Sequence, residues 1–267
     1  MTDLDAYFSR IHFSGEPTAT LNTLNTLQQC HAANIPFENL NVLLNKGIDL
    51  DPVSIDNKLI NDGRGGYCFE QNSLFMRSLQ TLGFDVEPLM ARAVWNTPED
   101  TTSPRTHMIL RVKINTVDYL ADVGFGGLVL TNPLQFNTSD PQTTTHETFR
   151  LITRPHGYML QAFIDNSWQT IYDISNEPQQ NIDLEVANWY TSKHPDSKFR
   201  HNLMAARTTH STRYTLLNNR LNIRTKGQVP IKQFLNASEL EKALTDYFLL
   251  PENKEWKNLA KKIISIT

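Results

Sequence analysis

The chain of 267 residues is long for one compact domain and supports one to three folding units. Its 25 basic and 28 acidic residues give a formal net charge of −3 and form no basic stripe, which argues against a nucleic-acid partner. No apolar run reaches membrane-spanning length, the start MTDLDAYFSRIHFSGEP lacks an apolar signal core, and two cysteines make no disulfide framework, so a reducing cytoplasm is the expected setting.

The first third reads helical. DLDAYFSRI and TLNTLNTLQQCHAA carry apolar residues at three- and four-residue spacing, and SIDNKLI is a short helical candidate. Phe69 to Leu82 forms another helical pattern, with Leu74, Phe75, Ser78, Leu79 and Leu82 on one face and Gly83 as its stop. The period then changes to two. VEPLMARAVW, HMILRVKI, VDYLADVGF, TFRLIT, YMLQAFI and WQTIYDI read as strands, with turns at Asn115-Thr116 and Asp165-Asn166. LEVANWYTSKHP is helical again. RYTLL and RLNIR form a hairpin through Asn218-Asn219, and SELEKALTDYFLL and NKEWKNLAKKIISI are helices. The divisions fall near residues 85 and 195.

Cys68 sits in NDGRGGYCFEQNSLF, at the boundary of a helical pattern. A thiol is a nucleophile only as thiolate, and a helix N-terminus favours an anion. Gly65 and Gly66 allow a substrate to approach the backbone closely, and free N–H groups there suit a developing oxyanion. A buried structural cysteine beside a Gly-Gly turn is an equal reading of the local sequence. Cys30 lies inside a helical pattern without a glycine loop and reads as core, and the adjacent His31 points away from it.

A catalytic cysteine needs a base, and the base needs an orienting group. With Asn115-Thr116 as a two-residue hairpin loop, Ile114 opposes Val117. One face then gathers Met108, Leu110, Val112 and Ile114 against Val123, Ala121, Tyr119 and Val117, and the other pairs Lys113 with Asp118. On that second face His107 opposes Gly124 and Asp122 opposes Ile109. His107 and Asp122 are therefore diagonal neighbours, within reach of an imidazole–carboxylate hydrogen bond. The order Cys68, His107, Asp122 resembles the papain and transglutaminase arrangement.

IPFENL (residues 35–40), GRGGYCFEQN (63–72), RTHM (105–108) and ADVGFGG (121–127) together resemble the bacterial arylamine N-acetyltransferase family, in order and spacing. NWYTSKHPDSKFRHNLMAAR (188–207) is similar to that family's link into its third domain, and PQTTTHETFR (141–150) to enterobacterial members. The resemblance implies an α+β fold in a cysteine-proteinase-like arrangement: a helical bundle over 1–85 carrying the nucleophile, a β-barrel over 86–195 carrying His and Asp, and an α/β lid over 196–267. It implies a catalytic triad of Cys68, His107 and Asp122, and ping-pong transfer of acetyl from acetyl-CoA, without a metal, to arylamines, hydrazines or N-hydroxyarylamines. It further implies a Glu38–Arg64 pair pinning the nucleophile loop, Gly126 and Gly127 at the CoA pyrophosphate, and Phe125 in the acceptor wall. Phe37 is a further wall candidate, although a Phe after Pro is commonly core. No nucleic-acid or membrane partner is expected, and the state is monomer or homodimer. Three other readings stay open: an amide synthase using a carrier-bound acyl chain, a thiol hydrolase, and a binding module without chemistry.

Overall fold

The computed structural model describes residues 2–266 apart from 96, 99 and 100. Its N-terminal helices begin where the sequence supplies caps. Asp3 accepts from the Ala6 amide at the head of α1 (Leu4–Ile11), Thr20 from Thr23 at the head of α2 (Leu21–Asn34), and Asp51 from Val53 before α4 (Pro52–Asp56). A short α3 (Leu40–Leu43) precedes α4, and a π turn over Asn57–Asn61 extends it. The decisive helix is α5 (Cys68–Thr81), which starts on Cys68 itself. It ends as expected: Gly83 takes φ +87, the Gly83 amide donates to Gln80 and the Phe84 amide to Leu79. Phe69, Leu74, Phe75 and Leu79 of α5 are fully buried with Tyr7, Leu24 and Leu59 in one core.

Eight antiparallel strands follow in the order β5-β4-β3-β2-β9-β8-β7-β6. They are β2 (Asp85–Ala93), β3 (Arg105–Ile114), β4 (Val117–Ala121), β5 (Leu134–Gln135), β6 (Gln142–Thr143), β7 (Thr148–Arg154), β8 (Gly157–Ile164) and β9 (Ser167–Ser175). The sheet curls into a barrel-like form. Its edges meet through one side chain: Gln142 Oε1 accepts from the Gln135 amide at 2.7 Å, and its Nε2 donates to the Gln135 carbonyl at 2.9 Å. Alternation divides β3 and β4 between two cores. Met108, Leu110, Val112 and Ala121 face α5, whereas Ile109 and Leu120 face the barrel interior with Leu89, Leu160 and Tyr172. Asn115, Asp165 and Asn166 take positive φ in the two expected tight turns.

A third core lies under a five-stranded sheet in the order β1-β10-β11-β12-β13. It comprises β1 (Phe37–Glu38), β10 (Met204–Thr208), β11 (Thr212–Leu217), β12 (Arg220–Thr225) and β13 (Ile231–Phe234). Helices α7 (Ala237–Asp246) and α8 (Lys254–Ile266) cover one face with Leu240, Leu244, Trp256 and Ile263. The N-terminal segment thus supplies a strand to the C-terminal sheet. Helix α6 (Asn181–Lys193) joins the two sheets and sends Leu184 into the first core. Among the described residues, no helix is long and apolar enough to cross a membrane.

One expectation is corrected. The strand anticipated through Phe125 ends at Ala121. The predicted register holds from Leu110–Ala121 to Ile114–Val117, including Lys113 opposite Asp118, but the Ile109–Asp122 and His107–Gly124 pairs do not form. Side-chain hydrogen bonds at Asp122 and close packing at Gly124 draw the chain out of the ladder and onto α5, as described next.

Candidate active site

Cys68, His107 and Asp122 come together where the start of α5 meets the mouth of the barrel. Helix α5 presents Cys68 as its first residue, with Tyr67 as N-cap. The loop after β4 lies directly on it: a Cβ added at Gly124 would sit 2.6 Å from the Cys68 Cα, so only glycine fits. Below the thiol, His107 Nε2 lies 2.8 Å from Asp122 Oδ2, and both side chains are nearly inaccessible to water. Nδ1 of the imidazole is then left unclaimed by Asp122, while the Cys68 thiol donates to the carbonyl of Thr106, the residue before His107, at 3.7 Å.

Asp122 is held on every side. Its Oδ1 accepts from Asn72 Nδ2 at 3.0 Å and from the Gly124 amide at 2.8 Å, and its Oδ2 accepts from the Tyr172 hydroxyl at 3.2 Å. Asn72 also donates to the Met108 carbonyl at 2.8 Å and accepts from the Val123 amide at 3.1 Å. It sits one helical turn beyond Cys68 and so ties α5, β3 and the loop after β4 together. Burial opposes the charge on Asp122, but His107, Asn72 and the Gly124 amide outweigh it and hold the carboxyl below its ordinary range. Burial likewise opposes charging of His107, and the Asp122 carboxylate more than reverses this, lifting the imidazole to about 10. His31 is the contrast. It is equally buried and takes a hydrogen bond from Tyr7 at 2.9 Å, but no carboxylate faces it; burial, then Arg10, drives it down to about 3.

The loop leading into Cys68 is pinned by charge. Arg64 reaches Glu38 Oε1 through Nε at 3.1 Å and Nη2 at 2.6 Å, and Asn41 Oδ1 at 3.2 Å. Glu38 is fully buried and its Oε2 accepts from the Leu40 amide at 2.7 Å. Lys58 Nζ lies 2.6 Å from Glu70, whose other oxygen accepts from the Tyr67 amide at 3.1 Å. Trp256 of α8 lies 4.8 Å from the Arg64 guanidinium, linking the C-terminal helices to this loop. Gly65 is backed against the Pro36 carbonyl and has no room for a side chain.

Cys68 and His107 open into a cleft of about 950 Å³ between barrel and C-terminal sheet. Its walls near the thiol are Phe37, Phe125 and Phe199, with Phe125 5.0 Å from the His107 ring and Phe37 6.3 Å from Phe199. Phe37 thus belongs both to the core and to the cleft. Gly126 and Gly127 line it too: Gly126 takes φ +79 against the Phe37 ring, and Gly127 packs on Thr215. Farther along, Arg220, Asn222 and Arg224 project from one face of β12, with Lys232 opposite Asn222. Arg213 is fixed deeper down, with Nε 3.1 Å from Glu147 Oε1, and Nη2 2.5 Å from Glu147 Oε2 and 3.0 Å from the Val129 carbonyl. Sequence reasoning missed Asn72, Tyr172, Phe199 and these cations. Only Asn72 carried a signal, one turn from Cys68 and too polar for a buried helix face. Among the described residues, no cluster of three His, Cys, Asp or Glu could hold a metal ion.

Residues 20–256, which span most of the helices, the barrel-like sheet and the covered second sheet around this cleft, match the family model described as N-acetyltransferase, an acyl-transfer class. The chain belongs to the arylamine N-acetyltransferase family. An arylamine N-acetyltransferase of Mycobacterium tuberculosis is 40% identical over 250 residues, covering 92% of this chain and 88% of the relative. The arylamine N-acetyltransferase / N-hydroxyarylamine O-acetyltransferase of Salmonella typhimurium is 40% identical over 204 residues, 76% of this chain and 72% of that one. The structure of the M. tuberculosis enzyme superposes with a TM-score of 0.94 at 38% identity, covering 98% of this chain and all of the other. A Mycobacterium marinum arylamine N-acetyltransferase in complex with CoA gives a TM-score of 0.93 at 35% identity, covering 98% and 99%.

Proposed function

We propose that this chain transfers acetyl from acetyl-CoA to aromatic amines, hydrazines or N-hydroxyarylamines through a thioester on Cys68. The observation that carries this reading is the His107–Asp122 hydrogen bond, set beneath a cysteine on the first turn of a helix. In this mechanism the elements act as three units, 1–85, 86–195 and 196–267, in a cysteine-proteinase-like arrangement.

Asp122 stabilises the imidazolium of a Cys68–His107 ion pair, formed when the thiol's proton passes to His107. The sulfur adds to the thioester carbonyl of the donor. N–H groups of the first turn of α5 face the developing oxyanion. Collapse expels the CoA thiolate, which takes the proton from His107. The acceptor amine then attacks the acetyl-Cys68 carbonyl and gives its surplus proton to the now neutral His107. Sulfur leaves, and the ion pair is restored. Exchange between two thioesters costs little free energy, and formation of the amide drives the second step.

The cleft suits both substrates. Phe37, Phe125 and Phe199 offer faces to a flat acceptor. Arg220, Arg224 and Lys232 are exposed, and among the described residues no carboxylate pairs with them, so they can meet the donor's phosphates, with Gly126 and Gly127 nearer the thiol.

Initial rates at several fixed acetyl-CoA concentrations test the order of events. Parallel double-reciprocal lines against arylamine concentration are expected, with no transfer by Cys68→Ala. Intersecting lines, or transfer by that variant, would exclude the covalent route.

A further inference from the structure

Lys198 opens a short 3-10 turn, Lys198–Arg200, between α6 and β10. The turn is fastened to the nucleophile's neighbours. The Phe199 ring packs edge-on against Tyr67 at 5.9 Å, and the Phe199 carbonyl accepts from Asn39 Nδ2 at 2.7 Å. The Lys198 carbonyl accepts from the Asn202 amide at 3.0 Å and from Asn202 Nδ2 at 3.1 Å. The Lys198 side chain is open to the same cleft as Cys68, His107 and Phe125. Among the described residues no carboxylate neutralises it; its only close partner is the Phe199 ring, 5.9 Å from Nζ. Arg213, on the same cleft, is by contrast clamped by Glu147. Crowding by the cleft walls pushes the Lys198 amine below its ordinary value, and Cys68 is the charged group that opposes this shift.

We propose that Lys198 is an internal acetyl acceptor, a self-modification site that receives the Cys68 acetyl group when no external amine is present. The inference rests on the thioester mechanism above. The neutral Nζ lone pair adds to the acetyl-Cys68 carbonyl. The C–S bond breaks, sulfur leaves with the bonding pair, and the amine's surplus proton passes to neutral His107. The products are N-acetyl-lysine and a free Cys68, which can be acylated again. No oxidant or further reactant is needed, and the only acetyl source is the donor already required. Two physical factors favour the step. An alkylamine is normally protonated at neutral pH, and a lowered pKa raises the share of nucleophilic amine. Tethering in one cleft replaces a bimolecular collision by a high effective concentration. The acetylated lysine no longer contributes positive charge to the wall of the donor and acceptor cleft.

The test is acetyl-CoA without acceptor, followed over time by peptide mass before and after hydroxylamine, which cleaves thioesters and spares amides. The expected result is a labile acetyl on the Cys68 peptide, followed by a stable one on the peptide His194–Arg200. The stable acetyl should form about tenfold or more faster than on the exposed Lys226 or Lys257. Lys198→Arg should keep the labile acetyl and lose the stable one. Cys68→Ala should lose both, and arylamine added from the start should suppress the stable one. A persistent Cys68 thioester with Lys198 unmodified overturns this inference alone, as does equal Lys198 acetylation in Cys68→Ala. Absence of any Cys68 thioester overturns the mechanism and the inference together.

Discussion

Gly124 lies so close to Cys68 that a single added carbon would stand 2.6 Å from the Cys68 Cα. The loop that carries Asp122 and Phe125 is thus seated on the helix that carries Cys68, backbone against backbone. Gly124→Ala must push the two apart, since neither partner is the end of a flexible side chain. Transfer should fall about 100-fold or more, because misplacement by about an ångström costs that much. Single-turnover acetylation of Cys68 measures this; an undiminished rate would contradict the packing argument.

Asn72 spans Asp122, Met108 and Val123, so its replacement leaves several buried groups without partners. Asn72→Ala should destabilise the fold by about 1–3 kcal/mol in urea unfolding. Asp122→Asn should lower kcat/KM by roughly 10³–10⁴-fold while the variant still folds, because it removes the charge that orients and stabilises the imidazolium. Comparing unfolding midpoints with kcat/KM separates the two effects.

The titration of His107 has a definite direction. Its pKa rises from 6.5 to about 10, so the folded chain binds this proton more tightly than the unfolded chain. The pair's contribution to stability is full below pH 6.5 and is lost as pH rises through about 10. Asp122, lowered from 3.8, contributes fully above that value and loses its contribution as pH falls below it. Nitrogen-edited NMR of the His107 ring should show imidazolium throughout the neutral range. In Asp122→Asn the largest opposition to burial is gone and only Cys68 still favours the charged ring, so the His107 pKa should fall. A wild-type midpoint near 6.5 would contradict the pairing.

Glu38 and Arg64 form a nearly dry pair, with the carboxylate fully buried. Removing one partner strands the other, so Glu38→Gln should cost about 3–5 kcal/mol of stability. Arg64→Lys should also weaken the loop, because an ammonium cannot reproduce the two-pronged contact to Glu38 together with the reach to Asn41. Denaturant midpoints with unchanged slopes would attribute both losses to the folded state.

On the cation-lined strand, Arg220→Gln with Arg224→Gln should raise the KM for acetyl-CoA about tenfold, the value of one charge-assisted contact. It should also flatten the dependence of that KM on salt. The rate at saturating donor should change little. An unaltered KM would place the donor's phosphates elsewhere.

How much of this was legible in the sequence depended on how local the signal was. The β3–β4 register followed from one hairpin loop and two opposed faces, because a slip by one residue would have exposed the apolar set. Helix α5 followed from its spacing and Gly83. The two-residue strands β1, β5 and β6 carry no period to read, and their pairing comes from distant segments, as when Phe37 meets Ala206. The ladder's early end at Ala121 was hidden for the same reason: the partner that draws Asp122 away, Asn72, lies 50 residues earlier. Tyr172 and Phe199 reach the site only through tertiary packing, so nothing in their own surroundings marks them.

The most direct measurement is the intact mass of the protein after brief exposure to acetyl-CoA alone, followed by peptide mapping. The mechanism predicts one hydroxylamine-labile acetyl group on the Cys68 peptide, removed when an arylamine is supplied. A protein that transfers acetyl to the arylamine without ever carrying it on Cys68 would contradict the mechanism.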